Sequence, residues 1–328
     1  MELGITLDFG QDGDRLDERF ERFQSLIDTA QRAGFGMLST GEQHPTNGAY
    51  FHLPAPLTAL ASFSGRTTMR LGTGVLLLAA WNPLRLAYDA AVLDQLSGGR
   101  LTLGIAAGNP PTWARFGVSG ERLADRLDQT VQALKAAWSD GAHEGDLVAL
   151  GGPLRPLPLQ AGGPPVIVGG LAGRALRRAA ELGDGWFAAT NYQFEGQIRP
   201  AIARYRGHCD RAGREPGAIM ANRLAVVVDT TAELAEAAAP AVGLLRLYAS
   251  FGTIRHPDGS PIDGADITLG SALLRDLALI GNAAEVGEQL AAYREAGVTH
   301  LQLRVQPAGV RSEAALRTLE LLGMQSAR

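Results

Sequence analysis

Residues 70–108 read RLGTGVLLLAAWNPLRLAYDAAVLDQLSGGRLTLGIAAG, and this stretch decides the fold. An apolar run, Leu71–Ala80, stops at a Trp-Asn-Pro break and is followed by a helical pattern over Leu84–Leu96. After the turn Ser97–Arg100, a second apolar run ends at Gly108. A strand, a crossover helix and a second strand predict a parallel βαβ unit with two buried strands.

Both strands of this unit end in small residues. Gly72 and Gly74 occupy the first strand, and Ala106, Ala107 and Gly108 close the second. Small residues at strand ends let a flat ligand approach the backbone. This pattern predicts a binding surface at the carboxyl ends of the strands.

Composition limits the class of protein. The chain has 328 residues, 46% hydrophobic and 20% charged, with a formal net charge of -4. No basic block points to nucleic acid or a membrane surface. With one cysteine, no intramolecular disulfide or thiolate metal cluster is possible. The amino terminus does not resemble a signal peptide, and no apolar run reaches the roughly 18 residues of a membrane span. We expect one cytoplasmic domain over residues 1–328.

Short apolar runs alternate with amphipathic helical patterns along the whole chain. At a spacing of about 30–45 residues, eight strands each followed by a helix predict an α/β fold, a (β/α)8 barrel. A doubly wound open sheet is the second choice, disfavoured by strand count and by the lack of an early GxGxxG turn. The predicted strands are Leu3–Phe9, Phe35–Thr40, Leu71–Ala80, Leu101–Gly108, Val166–Val168, Gly185–Ala189, Arg223–Asp229 and Val298–Val305.

Two long irregular segments interrupt this alternation. Gly141–Pro165 is rich in Gly and Pro and predicts a hairpin or a long loop. Ser250–Gly270 is polar and also punctuated by Gly and Pro. A segment of that length inside a compact domain is typical of a lid or of disorder, and we expect a lid near residues 250–270.

These residues resemble the bacterial luciferase-like superfamily of flavin- and deazaflavin-dependent barrels. The resemblance spans nearly the whole chain, and the LDQLSGGR motif at residues 93–100, followed by a GxxxG strand, is its most specific part. Further dense stretches are Leu71–Leu78, Gly41–His44, Val166–Gly173 and Leu279–Val298. The resemblance implies the barrel fold and a flavin-type cofactor, without naming a substrate.

The resemblance also implies where the cofactor binds. It implies a non-proline cis peptide at Gly74–Val75 facing the cofactor ring, with Ala106, Ala107 and Gly108 leaving room for that ring. Members that bind flavin mononucleotide (FMN) often carry a basic residue where this chain has Ala107. The phosphate is expected at the turn Gly169, Gly170, Leu171, Ala172, Gly173 and Arg174, where glycines before a helix expose backbone N–H groups to an anion.

Three residues are candidates for catalysis. The family usually has two adjacent histidines after Glu42, and here the first is replaced by Gln43. His44 can therefore exchange a proton near neutral pH, whereas Gln43 can only hydrogen-bond. Asn109 is a candidate hydrogen-bond partner of flavin or substrate. We assign structural roles to Asp94 and Arg100, because the start of a barrel strand lies away from the chemistry.

Aromatic residues at strand ends and in loops are candidates for an apolar substrate pocket. The histidines show no metal-ligand spacing, so no metal site is expected. The candidate pocket residues are Phe9, Trp81, Trp113, Trp186 and Tyr192.

The leading interpretation is a monooxygenase using reduced FMN and O2. The resemblance implies oxygen activation as a C4a-peroxyflavin, then hydroxylation or a Baeyer–Villiger-type insertion on a small, largely apolar substrate. No nicotinamide site is evident, so a separate flavin reductase is expected. The alternatives are a deazaflavin-dependent dehydrogenase or reductase that transfers hydride, and a non-catalytic flavin-binding protein. The resemblance also suggests a homodimer.

Overall fold

The predicted alternation of strands and helices forms a closed barrel in the computed structural model, which describes residues 1–8, 15–44, 55–139, 141–307 and 310–326. The strands are β1 Glu2–Thr6, β2 Met37–Thr40, β3 Arg70–Thr73, β4 Leu76–Leu77, β5 Leu101–Ala106, β6 His143–Glu144, β7 Ala149–Leu150, β8 Val166–Gly169, β9 Gly185–Ala188, β10 Ala218–Val228, β11 Ala278–Asn282 and β12 His300–Arg304.

The helices lie between these strands. Single turns of 3-10 helix occupy Leu78–Ala80 and Gly264–Asp266, and a π-helical turn occupies Phe194–Ile198. The α-helices are α1 Leu16–Arg32, α2 Pro56–Phe63, α3 Pro83–Leu96, α4 Pro110–Arg115, α5 Leu123–Trp138, α6 Gly173–Glu181, α7 Arg199–Ala212, α8 Thr231–Ser250, α9 Ala272–Leu277, α10 Ala283–Ala296 and α11 Ser312–Ser326.

Parallel pairing closes the barrel. The order β1-β2-β3-β5-β8-β9-β10-β12 returns to β1, where Leu3 faces Leu301 in register and Ile5 faces Leu303. An open doubly wound sheet would leave two edge strands, and this sheet has none within the barrel. The (β/α)8 prediction is therefore confirmed, and all carboxyl ends of the strands meet at one face, the barrel mouth.

The opening βαβ stretch departs from the prediction in one respect. The apolar run Leu71–Ala80 is not one strand, because the Gly74–Val75 peptide bond is cis and separates β3 from β4. The crossover helix α3 begins at Pro83, with Asn82 accepting a hydrogen bond from the Arg85 backbone N–H as its cap.

The strand β11 and the helices α4, α9 and α10 were not predicted. β11 pairs only with the outer half of β10, where Leu224–Val228 face Ala278–Asn282. β10 is also longer than predicted, because it must pair with β9 and β12 inside the barrel and with β11 beyond it. A signal was present in the sequence: Asn282 and Glu285 form the capping box that starts α10.

The segment predicted as a lid is ordered and anchored. α8 continues to Ser250, and beyond it Ile254, Ile262 and Ile267 are buried in the main core. The predicted hairpin within Gly141–Pro165 is present as β6 and β7. Movement of residues 251–270 over the mouth stays a prediction.

The core has two parts. The larger one fills the space between strands and helices, and a small one of Met37, Ile167, Phe187 and Met220 fills the barrel interior. At the opposite face from the mouth, Asp94 accepts from Gln160 and Arg100 donates to the carbonyls of Ser64, Thr67, Met69 and Ser97. The structural roles assigned to both residues are confirmed. None of the described helices is long and apolar enough to cross a bilayer.

Candidate functional site

Glu42 lies just beyond β2 and organises one side of the mouth. Its carboxylate Oε2 accepts hydrogen bonds from the Leu77 backbone N–H at 2.7 Å and the Trp81 indole N–H at 2.8 Å. Its other oxygen, Oε1, lies 2.6 Å from Nε2 of His44. The side chain is 2% exposed, so a buried acid is satisfied by three donors from three segments. The sequence alone predicts no functional role for Glu42.

His44 is held by this carboxylate. Residues two apart on an extended backbone point the same way, so Glu42 and His44 share a face. Because a carboxylate oxygen only accepts, we assign the ring proton to Nε2, which donates to Oε1. The His44 ring also meets Phe116 edge-on at 4.7 Å between ring centroids. Gln43 between them is half-buried and stays a predicted ligand of flavin or substrate.

The cis peptide lies next to this pair. The Glu42 backbone N–H donates to the Val75 carbonyl at 3.0 Å, and the Gly74 N–H donates to the Thr40 carbonyl at 2.9 Å. A Cβ at Gly74 would lie 3.1 Å from Cζ of Phe187. The expected cis geometry of Gly74–Val75 is confirmed, and the Glu42–Val75 hydrogen bond joins the segment between β3 and β4 to the end of β2.

Predicted cofactor residues from β5, β8 and the segment between β3 and β4 meet here. β4 pairs with β5 so that Leu77 faces Ala106. A Cβ built on Gly169 would lie 3.4 Å from Cβ of Ala106 and 3.5 Å from Cγ1 of Val75. The structure therefore brings Val75, Ala106 and Gly169 together, so that a Cβ on Gly169 would touch both neighbouring side chains.

Beyond β5 the chain turns sharply. Gly108 has φ +79°, a backbone conformation that glycine adopts without strain. The Trp113 indole N–H donates to the Ala107 carbonyl at 2.9 Å. Asn109 caps α4: its Oδ1 accepts from Thr112 N–H at 3.0 Å and Thr112 Oγ1 at 2.8 Å. That oxygen is committed to the helix, which leaves only the Asn109 amide NH2 for the predicted catalytic contact.

The predicted phosphate turn leads into α6. Gly170 has φ +126°, and a Cβ on Gly173 would meet nothing within 4 Å. Ala172, the N-cap, has no side-chain oxygen to occupy the first-turn N–H groups. Leu171 is half-buried, and Ala172 and Gly173 are exposed. This helix end is open and unblocked by its own side chains.

Arg174, the last residue of the predicted phosphate turn, has its side chain paired within the protein. Its guanidinium Nη2 is paired with the Asp125 carboxylate and lies 3.2 Å from Asp128 Oδ2, both on α5. These contacts raise the pKa of Arg174 and lower that of Asp125. Arg174 therefore ties α6 to α5, because two carboxylates of the neighbouring helix engage it.

The predicted substrate aromatics divide into groups. Trp186 was wrongly predicted: it is 0% exposed, since Phe187 takes the inward position on β9 and Trp186 points outward. There it packs near Tyr205 and donates to the Gly170 carbonyl at 2.7 Å. Trp81, Trp113 and Tyr192 are half-buried and stay predictions. Phe9 lies outside the described residues.

A buried ion pair at the ends of β1 and β12 was missed. Asp8 Oδ2 accepts from Nε of Arg304 at 2.6 Å, and Nη1 of Arg304 donates to the Tyr248 hydroxyl at 2.7 Å. Burial raises the pKa of Asp8, and Arg304 opposes that rise. A signal was present, since Asp8 follows the inward-facing Thr6 by two residues and Arg304 follows the inward-facing Gln302 by two.

Within the described ranges, no three His, Cys, Asp or Glu side chains are grouped so that they could hold a metal ion.

Comparisons with known proteins agree with this geometry. Residues 1–300 match the profile of the family described as luciferase-like monooxygenase. The oxygenase component of flavin-dependent trigonelline monooxygenase from Acinetobacter baylyi is 32% identical over 155 residues, which cover 45% of this chain and 42% of that protein. This alignment thus spans less than half of that relative.

Solved structures share the whole fold. Monooxygenase RslO1 from Streptomyces bottropensis superposes with a TM-score of 0.79 at 26% identity, covering 99% of this chain and 98% of that one. The coenzyme F420 dependent tetrahydromethanopterin reductase from Methanopyrus kandleri gives 0.76 at 19% identity, covering 99% and 97%. With the closed barrel, the cis peptide and a profile match over nearly the whole length, the chain belongs to the luciferase-like monooxygenase family.

Proposed function

We propose that this protein is a flavin-dependent monooxygenase that uses reduced FMN and O2 on a small, largely apolar organic substrate. The observation that carries the proposal is the meeting of Gly74–Val75, Ala106 and Gly169 beside the Glu42–His44 pair. A flat, side-chain-poor surface next to an oriented histidine suits a planar ring and a group that exchanges protons with it.

The residues of the mouth divide the work. His44, with Nε2 held by Glu42, has Nδ1 left to exchange a proton with a ligand. Trp81, which donates to Glu42, and Phe116, which meets the His44 ring edge-on, border this point. The flavin, when bound, supplies the oxygen-activating chemistry.

We place the cofactor phosphate at the start of α6. The first-turn N–H groups of Gly173 and Arg174 carry the positive end of the helix dipole. Because Arg174 itself is paired with Asp125 and Asp128, backbone groups alone must hold the phosphate.

A reductase is the expected partner. The trigonelline relative is named as an oxygenase component, which supports a separate enzyme that supplies reduced flavin here too. A Baeyer–Villiger-type insertion or a hydroxylation would then follow.

Hydride transfer with a deazaflavin is the second candidate, favoured by one observation. Ala107 provides no cation to bind the cofactor phosphate, where the resemblance leads one to expect a basic residue in FMN-binding members. A coenzyme F420 dependent reductase shares the fold.

Titration separates the candidates. The purified chain is titrated without air with reduced FMN and, separately, with reduced deazaflavin. A panel of apolar ketones and aldehydes is then added, first without air and then with air. Tight binding of reduced FMN and ketone consumption that requires oxygen would support the monooxygenase. Oxygen-independent turnover with deazaflavin would support hydride transfer, and tight binding without any turnover would leave a flavin-binding protein.

We also propose a homodimer built on α3. Four apolar residues four apart form one stripe about 18 Å long on this helix, and Leu159 lies beside its end near Gly99. A contiguous exposed apolar stripe on a globular protein marks an interaction surface. The exposed fractions are 44% for Leu84, 38% for Tyr88, 43% for Val92 and 60% for Leu96.

A further inference from the structure

Arg223 is a buried cation without a carboxylate. It lies on β10, is 0% exposed, and takes part in no ion pair with any residue that the structure describes. Its Nη2 also has no hydrogen-bond partner among those residues. Buried charges are normally paired, so we look for the role of this guanidinium in the neutral groups that it binds.

What it holds is the backbone just beyond β9. Nη1 donates to the Thr190 carbonyl at 3.2 Å and to the Tyr192 carbonyl at 2.6 Å. From the neighbouring position on β10, Asn222 accepts from the Thr190 hydroxyl at 3.0 Å. Residues 189–193, called the mouth loop below, are thus fastened by two adjacent β10 side chains that point in opposite directions.

The mouth loop in turn fastens the segment 251–270. The Asn191 side chain donates to the Thr253 carbonyl at 2.6 Å, and the Gln193 side chain donates to the Arg255 carbonyl at 2.9 Å. Both side chains stand next to carbonyl groups that Arg223 holds. The mouth loop therefore connects the Arg223 guanidinium to the segment 251–270, which is expected to cover the mouth.

On its other side Arg223 is supported by aromatic rings. Nε donates to the Tyr293 hydroxyl at 2.5 Å, and the guanidinium lies 5.5 Å from the centre of that ring. Phe194 stacks on Tyr293 at 3.9 Å, and Arg199 covers Phe194 at 4.9 Å. Burial raises the pKa of Tyr293, so the phenol stays neutral and supplies a dipole, not a counter-charge.

We propose that Arg223 is a positioning residue of the mouth: it holds the mouth loop, and through it the segment 251–270, in the geometry that receives substrate. Its functional part rests on the proposed function, because it takes the mouth as the site. The planar guanidinium of Arg223 directs donors at two carbonyls on one side and at a phenol on the other. A lysine at this position would keep the charge but lack this fixed arrangement of donors.

Arg223→Lys tests this with Arg214→Lys as its matched control. Arg214 also holds two carbonyls, of Ala180 at 2.7 Å and Gly183 at 3.0 Å, but not those of the mouth loop. In Arg223→Lys we expect hydrogen exchange of residues 189–193 and 251–256 to rise about tenfold, and in Arg214→Lys we expect no change there.

A spectroscopic readout accompanies the exchange. Burial raises the pKa of Tyr192. Because Arg223→Lys should loosen the loop, we expect the pKa of Tyr192 to return toward about 10 in this variant. The difference in tyrosinate absorbance between chains with Tyr192 and chains with Tyr192→Phe measures this titration. Unchanged exchange and titration, or equal effects in Arg214→Lys, would overturn the proposal.

Tyr293→Phe decides the matter if Arg223→Lys does not fold. It removes only the hydroxyl that accepts from Nε, and we expect about threefold faster exchange of the mouth loop; no change would overturn the proposal. Failure of the wild-type chain to bind reduced flavin would count against the proposed function and leave this exchange result standing.

Discussion

Glu42 and His44 stand two residues apart on an extended backbone, and that spacing makes them a pair. The acid is buried because Leu77, Trp81 and His44 each direct a donor at it. The motif at the end of β2 was evident from the sequence, and so was the importance of His44. The role of Glu42 was not, because two of its three partners lie 35 and 39 residues away along the chain.

His44→Ala tests the acid/base role. We expect turnover with the ketone or aldehyde that proves to be consumed to fall by about 100-fold or more, because general acid–base catalysis contributes on that order. Steady-state kinetics at saturating reduced flavin measures it. Unchanged turnover would remove His44 from the catalytic residues.

Glu42→Gln tests the tautomer. The amide oxygen can still accept from Leu77 and Trp81, but the amide NH2 would then face Nε2 of His44 and move the ring proton to Nδ1. We expect a loss of turnover similar to that of His44→Ala, with the fold retained in circular dichroism. Full activity of a folded Glu42→Gln would show that the carboxylate does not set the histidine.

His300 gives the fold a pH dependence at the far end of the barrel. Burial, with Arg70 second, lowers its pKa below the ordinary 6.5. Between the folded pKa and 6.5 the unfolded chain binds more protons, so stability falls as pH drops through that window. His300→Gln should weaken the dependence of the urea unfolding midpoint on pH over this range. The substitution His256→Gln, at an exposed position, should leave that dependence unchanged. Equal curves of midpoint against pH for wild type and His300→Gln would contradict the assignment.

At the scale of elements, the sequence predicted the eight barrel strands but not β11, which pairs with β10 beyond the barrel. Periodicity and small strand ends identified eight strands, because buried parallel strands are short and apolar on both faces. β11 could not be predicted from local periodicity, because its pairing with β10 joins residues that are far apart in the sequence. The outward turn of Trp186 could not be predicted either, since a one-residue shift of phase in β9 exchanges inside for outside.

The start of α6 is the element on which cofactor binding depends. Gly173→Asp places a carboxylate beside the first-turn N–H groups, into open space. We expect reduced FMN affinity to fall about tenfold or more, while stability rises by a few tenths of a kcal/mol because the charge suits the helix dipole. Fluorescence titration and urea unfolding measure the two effects.

Two matched variants accompany this prediction. Gly173→Ala adds no charge, and Arg174→Ala removes only a side chain already paired with Asp125 and Asp128. Both should keep FMN affinity within about twofold of wild type. A Gly173→Asp variant that binds FMN normally would place the phosphate elsewhere.

At the scale of the whole molecule, the two faces of α3 have different roles, one in the barrel scaffold and one in the proposed dimer. Its inner face holds the LDQLSGGR scaffold through the buried Asp94, and its outer face carries the exposed stripe from Leu84 to Leu96. The stripe is invisible to strand-and-helix prediction, because exposure depends on what packs around the helix.

Val92→Glu tests the dimer. A charge at the centre of the stripe should convert the protein from dimer to monomer, because an unpaired charge in an apolar interface is costly. Light scattering after size exclusion measures the mass. Leu269→Glu, exposed but outside the stripe, should stay dimeric. A wild type that is monomeric at micromolar concentration would contradict the proposal.

The central claim is that the small-residue surface at the barrel mouth receives a flavin, and a crystal structure of the chain soaked with FMN tests it most directly. The account predicts the ring in van der Waals contact with Gly74–Val75 and Ala106, the His44 imidazole on the same side, and the phosphate within hydrogen-bond distance of the Gly173 and Arg174 N–H groups. FMN bound away from Gly74–Val75, or held by side-chain cations instead of the α6 N-terminus, would contradict it.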